Sequence, residues 1–351
     1  MKKIASDYLV YDEATGKYRE DPEQKVRDDV EKHYWLNVAR AVIKDWRLYL
    51  MLVPMLLVFL FWRYFPMYEL LGAFKVNDNT LDVADQLYAG FAHFQSLMAG
   101  EASANFWRAF RNTFLLSFYG LCFGFPMPII IALFFNEIKS NIARSIYQVA
   151  TYLPKFMSTV VMTSLITMLV RKAAPLSGVE MGVISQFLVS IGAITPEVGQ
   201  AGLLFRPEFF RAIYQISGIW ETAGYDSIVF FAAIIAISPT SYEAAQIDGA
   251  GKMAQMRYVV LPSILSTIVI MLITRIGSLL NVGYEKVLLL YNPDTYVTAD
   301  VVSTFAKELG IGGSAMVGVA SAAEMLNNVV GMLLVIGANT IARKASNVSL
   351  Y

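Results

Sequence analysis

Six times along this chain the sequence runs mainly apolar for about the 20 residues that a helix needs to cross a lipid bilayer. The stretches cover roughly residues 48–66, 113–135, 147–170, 212–237, 262–284 and 315–342. In hydrocarbon no water is at hand to bond an exposed backbone N–H or C=O, so each stretch has to fold as a helix. The chain therefore reads as all-α and polytopic, with six transmembrane helices. At 56% hydrophobic and 16% charged residues, with a mean hydropathy of +0.50, it is neither a disordered chain nor an ordinary soluble enzyme.

Lys plus Arg and Asp plus Glu both total 28, so no net field draws the chain to nucleic acid. The charges are unevenly placed, with 20 of the 56 inside residues 1–47. That segment reads as a cytoplasmic N-terminal tail ahead of a transmembrane domain over 48–351. It opens MKKIASDYLVYDEATGKYRE, without the apolar core of a signal peptide. Lys32, Arg40, Lys44 and Arg47 stand against Asp45 alone before the first stretch, and Arg343 and Lys344 follow the last. The positive-inside tendency then puts both termini in the cytoplasm, the loops near 137–146 and 238–261 inside, and 67–112, 171–211 and 285–314 outside. Trp35, Val38, Val42 and Trp46 are spaced for one helical face, which suits either an interfacial helix on the inner leaflet or a charged tail helix against protein. Segment 67–112 holds two helix-like runs and reads as a small external cap. Cys122, His33 and His93 are too few for a disulfide framework or a metal cluster, so Cys122 and His93 are read as structural.

Between the fourth and fifth stretches stands YEAAQIDGAG at 242–251, followed by RYVVLP ending at Leu261-Pro262. This reads as two short helices turned about Gly249, which can take backbone angles closed to other residues. Pro262 suits the first turn of the next helix. Small Ala244 and Ala245 would let another protein approach closely, and Glu243 and Asp248 offer charge for anchoring. Gly249-Ala250-Gly251-Lys252 is not a phosphate loop, because Gln246 and Met253 stand where that motif needs Gly and Ser or Thr.

The run EAAxxDGA followed by LP resembles the EAA loop of ATP-binding-cassette importer permeases. FRNTFLLS at 110–117, FGFPMPIIIALFFNEI at 123–138, YLPKF at 152–156 and GSLLNVGYEKVLLLYNP at 277–293 resemble the carbohydrate-importer permeases, nearest the LplB-type branch associated with complex oligosaccharides and polysaccharide fragments. The likeness covers roughly 45–351. It implies a type I importer permease fold in the bacterial cell membrane. The implied partners are a second related permease, an ATPase dimer and an extracellular substrate-binding lipoprotein. It also implies that loop 238–262 docks on the ATPase through Glu243, Ala244, Ala245, Asp248, Gly249, Leu261 and Pro262. ATP and Mg would be bound by that partner, with no cofactor, metal or catalytic residue in this chain. The family pattern usually has an aromatic residue where Met256 stands, and methionine can adapt to such a pocket.

Polar side chains are costly at mid-membrane and usually face a cavity or another helix. Arg275, Ser278, Asn281 and Glu285 follow at steps of three, three and four, a single polar stripe if the fifth stretch is one helix. Ser217, Glu221 and Tyr225 repeat the theme in the fourth stretch, and Ser321, Glu324 and Asn328 in the sixth. A pathway for a hydroxyl-rich oligosaccharide would use these groups, with Trp220, Tyr225 and Tyr284 as aromatic faces. The structural alternative is that Arg275 pairs with Glu221, Glu285 or Glu324, or with the partner permease, to hold helices together. A non-sugar solute, an ion-gradient transporter and, from Glu221 with Glu285, a membrane hydrolase are the competing functions. Arg171 and Lys172 suit lipid headgroups or a binding protein.

Overall fold

The computed structural model describes residues 9–12, 17–20, 34–76, 83, 85–174, 178–311 and 316–346. It divides into two compact units, Met1–Glu69 and Leu70–Tyr351. In the first, Leu9–Asp12 (β1) pairs antiparallel with Lys17–Glu20 (β2), a small hairpin that the all-helical reading did not contain. Lys32 lies outside the described residues. Helix α1, Tyr34–Lys44, ends on its basic residue, which suits the negative end of the helix dipole. Asp45 then leaves helical geometry at φ −101 and ψ 25, so Trp46 opens the next helix and does not extend the face of Trp35, Val38 and Val42.

That next helix, α2, runs Trp46–Phe74, and its last ten residues tighten to a 3-10 form from Phe65. It is longer than the 48–66 stretch and continues through 67–74, the first residues of the segment read as a cap. Among the described residues that follow are a bridge between Lys75 and Tyr88 and helix α3, Ala92–Ala99. His93 Nε2 lies 2.8 Å from the Lys75 carbonyl, a structural role. Residues 103–112 form the start of α4, Ser103–Glu137, ten residues ahead of the expected span. Arg108 and Arg111 interrupt the apolar run there, yet Phe106 and Ala109 bury against Val302, Phe305 and Val319, and that packing carries the helix. Cys122 is exposed in a π-helical turn of α4, Gly120–Gly124.

The third span is a bent pair: α5, Asn141–Phe156, meets α6, Thr159–Leu169, at 100°. The bend follows YLPKF, where Leu153–Phe156 is 3-10 and the Ser158 hydroxyl caps the new helix at Val161. Two short helices, α7 (Val183–Ser190) and α8 (Pro196–Ala201), precede the 29-residue α9, Pro207–Ile235. Then come α10, Pro239–Ile247, and a second bent pair, α11 (Lys252–Ser263) and α12 (Leu265–Gly277), at 62°. The remaining helices are α13 (Tyr284–Leu290), α14 (Tyr296–Ala299), α15 (Val302–Ile311) and α16 (Val317–Ser346). Among the described residues four helices are long and apolar enough to cross a membrane, and the two bent pairs bring the number to six when each counts as one span.

Helix α9 organises the second unit. Its Phe230 and Phe231 meet Phe125 and Phe135 of α4 edge to face. On another side its Gly224 lies against α5 so closely that a Cβ there would stand 2.2 Å from the Thr151 carbonyl oxygen. Small residues permit such backbone approach between membrane helices. The FRNTF run explains itself at the other end. Asn112, fully buried, donates to the carbonyls of Val297 and Asp300 at 3.0 Å each and accepts from Arg211 Nη2 at 2.9 Å. Thr113 Oγ1 accepts the Val302 N–H at 2.9 Å. Asp300 in turn accepts from Thr304 at 2.8 Å and pairs with Arg108 at 3.4 Å. Burial pushes the Asp300 carboxyl above its usual range, and the bonds from Thr304 and Arg108 oppose that shift.

Gly224→Val is expected to drive its side chain into the α5 backbone and cost about 1–3 kcal/mol, the usual range for overpacking. A clearly lowered thermal midpoint of the detergent-purified protein is the expected result; an unchanged one would mean that α5 and α9 do not cross this tightly.

Candidate functional site

The fifth span contains the main departure from the expected pattern. Helix α12 stops at Gly277, residues 278–280 form turns, and helix resumes only at Tyr284. The polar residues 275–285 therefore do not form one helical stripe. They converge because the chain unwinds. Arg275, Ser278, Asn281, Tyr284 and Glu285 all line one cavity of about 590 Å³, with Glu221, Gln215 and Tyr214 from α9 and Ser117 and Gly120 from α4.

Unwound backbone needs partners, and three helices supply them to this segment. Ser117 of α4 donates its hydroxyl to the Leu279 carbonyl. Asn327 of α16 donates to Leu280 O at 3.3 Å, and Tyr214 of α9 accepts the Gly283 N–H on its phenol oxygen at 3.1 Å. Gln215 is anchored in the same way by donating to the Leu116 carbonyl. Asn327, not the anticipated Ser321, Glu324 or Asn328, is thus the α16 residue that supports the cavity wall. None of those three lines the cavity.

One ion pair dominates the electrostatics. Lys286 Nζ lies 2.9 Å from Glu221 Oε2, with the two side chains only 9% and 17% exposed. The Lys286 ammonium also lies 5.5 Å from the centre of the Tyr214 ring, a cation–π distance. Sequence reasoning offered Glu221 as one of several partners of Arg275 and missed Lys286, because Lys286 falls outside the three-and-four spacing that picks out Glu285. The Tyr-Glu-Lys order was the available signal: with the helix starting at Tyr284, Lys286 turns inward while Glu285 stays exposed. Because Glu221 is neutralised by Lys286, it does not form a free carboxylate pair with Glu285. Arg275 is exposed, and among the described residues no carboxylate lies within 4 Å of it.

Two expected aromatic faces lie elsewhere. Trp220 and Tyr225 are absent from the cavity wall and are 47% and 41% exposed, Tyr225 meeting Phe156 edge to face. Tyr284 does line the cavity, with Lys307 Nζ 5.8 Å from its ring centre. Outside the cavity, Arg171 donates to Glu180 O at 3.0 Å and Lys172 sits over Phe205 at 4.8 Å, both side chains remaining exposed.

The loop between α9 and α12 has the expected helix–turn–helix shape. Helix α10 ends at Ile247 with Gly249 at φ +77. Ala250 N–H bonds Ala245 O at 2.8 Å and Gly249 N–H bonds Gln246 O at 3.0 Å. These are the two bonds of a Schellman cap, which needs a left-handed residue where Gly249 stands. Gln255 then ties α11 back by donating to Ala250 O at 2.8 Å, and Lys252 pairs with Glu137 at the end of α4 at 2.8 Å. Tyr242 and Met256 pack inward against the cluster of Leu133, Phe230, Ile234 and Val260. The outward face holds Glu243, Ala244, Asp248 and Pro262, with Ala245 and Leu261 half-buried. It also holds Ile247, Met253 and Tyr258, at 86%, 74% and 71% exposure, which sequence reasoning did not single out.

Several membrane-length helices around a polar cavity with a buried charge pair define a polytopic membrane permease. Residues 124–326 match the family described as binding-protein-dependent transport system inner membrane component. Protein LplB of Bacillus subtilis (strain 168) is 35% identical over 311 residues, covering 89% of this chain and 93% of that protein. The polygalacturonan/rhamnogalacturonan transport system permease protein YteP of the same organism is 34% identical over 310 residues, covering 88% and 92%. A crystal structure of a bacterial ABC transporter involved in the import of the acidic polysaccharide alginate contains a chain that is 39% identical, with a TM-score of 0.76, covering 88% of this chain and 99% of that one. The chain belongs to the binding-protein-dependent transport system inner membrane component family, and it is a multi-pass permease of the ABC-importer type.

Lys286→Met should leave the Glu221 carboxylate buried without its counter-charge and destabilise the protein by about 3–5 kcal/mol. Adding Glu221→Leu should recover most of that loss, as expected for coupled neighbours. Thermal unfolding of the single and double variants reads this directly; additive losses would mean that the pair is not the unit it looks to be.

Proposed function

We propose that this chain is one of two related permease subunits of an ABC importer for complex oligosaccharides or polysaccharide fragments. The observation that carries the reading is the presence in one family member of both a polar cavity and an exposed helix–turn–helix closed by a Schellman cap. Ser278, Asn281, Gln215 and Tyr284 provide the hydroxyl, amide and aromatic surface that a sugar requires. The cargo class is supported by relatives named for polygalacturonan and rhamnogalacturonan, arabinooligosaccharides and lactose, and by the alginate importer, one structure of which holds an alginate pentasaccharide-bound periplasmic protein.

In this reading an external binding lipoprotein delivers the saccharide and two ATPase subunits bind ATP and Mg. Their closure is transmitted through Glu243, Ala244, Ala245, Asp248, Gly249, Leu261 and Pro262. Alternating access then exposes the cavity first to one side and then to the other. Loop 238–262 and both termini face the cytoplasm of a bacterial cell, and α1 lies on the inner leaflet. Exposed Ile247, Met253 and Tyr258 give the loop an apolar contact surface beside its charged anchors.

Gly249→Asp tests the coupling role. The new side chain is strained at φ +77, by roughly 1–2 kcal/mol, and adds a charge at the contact face. In a correctly assembled complex, ATP-dependent uptake should fall by about tenfold or more, the effect of losing about 1.4 kcal/mol of coupling. Undiminished uptake in proteoliposomes would remove the loop from the mechanism.

A further inference from the structure

We infer that the cargo is anionic and that Arg275 binds the carboxylate of a uronic acid unit; this rests on the reading of the cavity as a saccharide pathway. Four charged residues line the cavity: Glu221, Arg275, Glu285 and Lys286. Lys286 and Glu221 are committed to each other at 2.9 Å and are largely buried, so neither offers a free charge to a ligand. Arg275 is different. Its side chain is exposed, and among the described residues no carboxylate oxygen lies within 4 Å of it.

The position of the guanidinium is defined by the missing side chain of Gly120. A Cβ placed on Gly120 would stand 3.9 Å from Arg275 Nη2, and 3.5 and 3.9 Å from Oε1 and Nε2 of Gln215. Guanidinium and carboxamide thus border one spot that α4 leaves bare. A guanidinium stays charged in any cavity, and its planar fork matches a carboxylate through two parallel N–H···O bonds. Gln215, Ser278 and Asn281 are within the same lining to meet the ring hydroxyls, and Tyr284 to meet a C–H face. One turn before Gln215 on α9, Arg211 is half-buried and bonds only the neutral amide oxygen of Asn112, with no carboxylate within 4 Å among the described residues. Arg211 lies outside the cavity lining, on the same helix face one turn away from Gln215. Glu285 brings the formal charge of the lining to zero, so selection works through the local fork and not through a net field.

The test uses the complete importer in proteoliposomes, with its binding protein, ATPase and second permease. Uptake is measured with oligogalacturonate and oligoalginate of four or five units, and with the carboxyl-reduced neutral counterpart of each. The expected result is transport of at least one acidic saccharide with little or none of its neutral counterpart. Arg275→Gln should raise the half-saturating concentration of that acidic cargo by about tenfold or more, and Arg275→Lys should fall between the two because it keeps the charge without the fork. An unchanged half-saturating concentration of the acidic cargo in Arg275→Gln overturns the proposal. So does equal wild-type transport of the neutral counterpart. If neither acidic saccharide is taken up, the proposal fails; uptake of a neutral saccharide by the same importer then leaves the saccharide reading standing without it.

Discussion

A carbonyl or amide that leaves a helix inside a bilayer has no water to turn to, and the cavity exists in the form the chain gives to that demand. Residues 278–283 break the fifth span. Ser117, Asn327 and Tyr214 reach in from α4, α16 and α9 to take up the groups that the break releases. The break turns a continuous stripe into a curved wall, and the three anchoring side chains bind the wall to the helices around it. Remove the anchors and the unwound segment has no reason to persist. Keep them, and Arg275, Ser278, Asn281 and Glu285 face the same space as Gln215 and Tyr214.

Charge is arranged by the same economy. Lys286 and Glu221 are each too buried to stand alone, and they neutralise one another at the point where α13 meets α9. Asp300, equally removed from water, is held by Thr304 and Arg108 in a hub that Asn112 and Thr113 extend to α9 and the segment before α15. Both clusters join elements far apart in sequence, so each reports that the helices around it are correctly placed. Arg275 stands outside this pairing, which is why it is the residue to which a ligand charge is assigned.

Much of the architecture was legible because it follows from local chemistry. The spans show themselves by apolar length, and the helix–turn–helix at 242–263 by the demand of a Schellman cap for glycine. Other features were hidden for reasons that are equally physical. Periodicity at 275–285 indicated a stripe that the helix break at Gly277 overrode. Helix α4 begins ten residues before its apolar run, since Phe106 and Ala109 gain their helical support from α15 and α16 and not from their neighbours in the chain. Trp220 and Tyr225 share a helix with Glu221 yet miss the cavity, because residues one or four apart on α9 see different neighbours once α4 and α5 are packed against it.

By itself the sequence determined a polytopic helical membrane protein, its family motif and the turn at Gly249, because hydrocarbon admits few backbone solutions and a left-handed residue admits few side chains. Only the tertiary structure decided that Lys286 and not Arg275 answers Glu221, that Asn327 and not Asn328 supports the cavity, and that Arg275, beside Gly120, meets no carboxylate among the described residues. Those outcomes depend on distances between helices separated by tens to hundreds of residues, which no spacing along a single helix encodes.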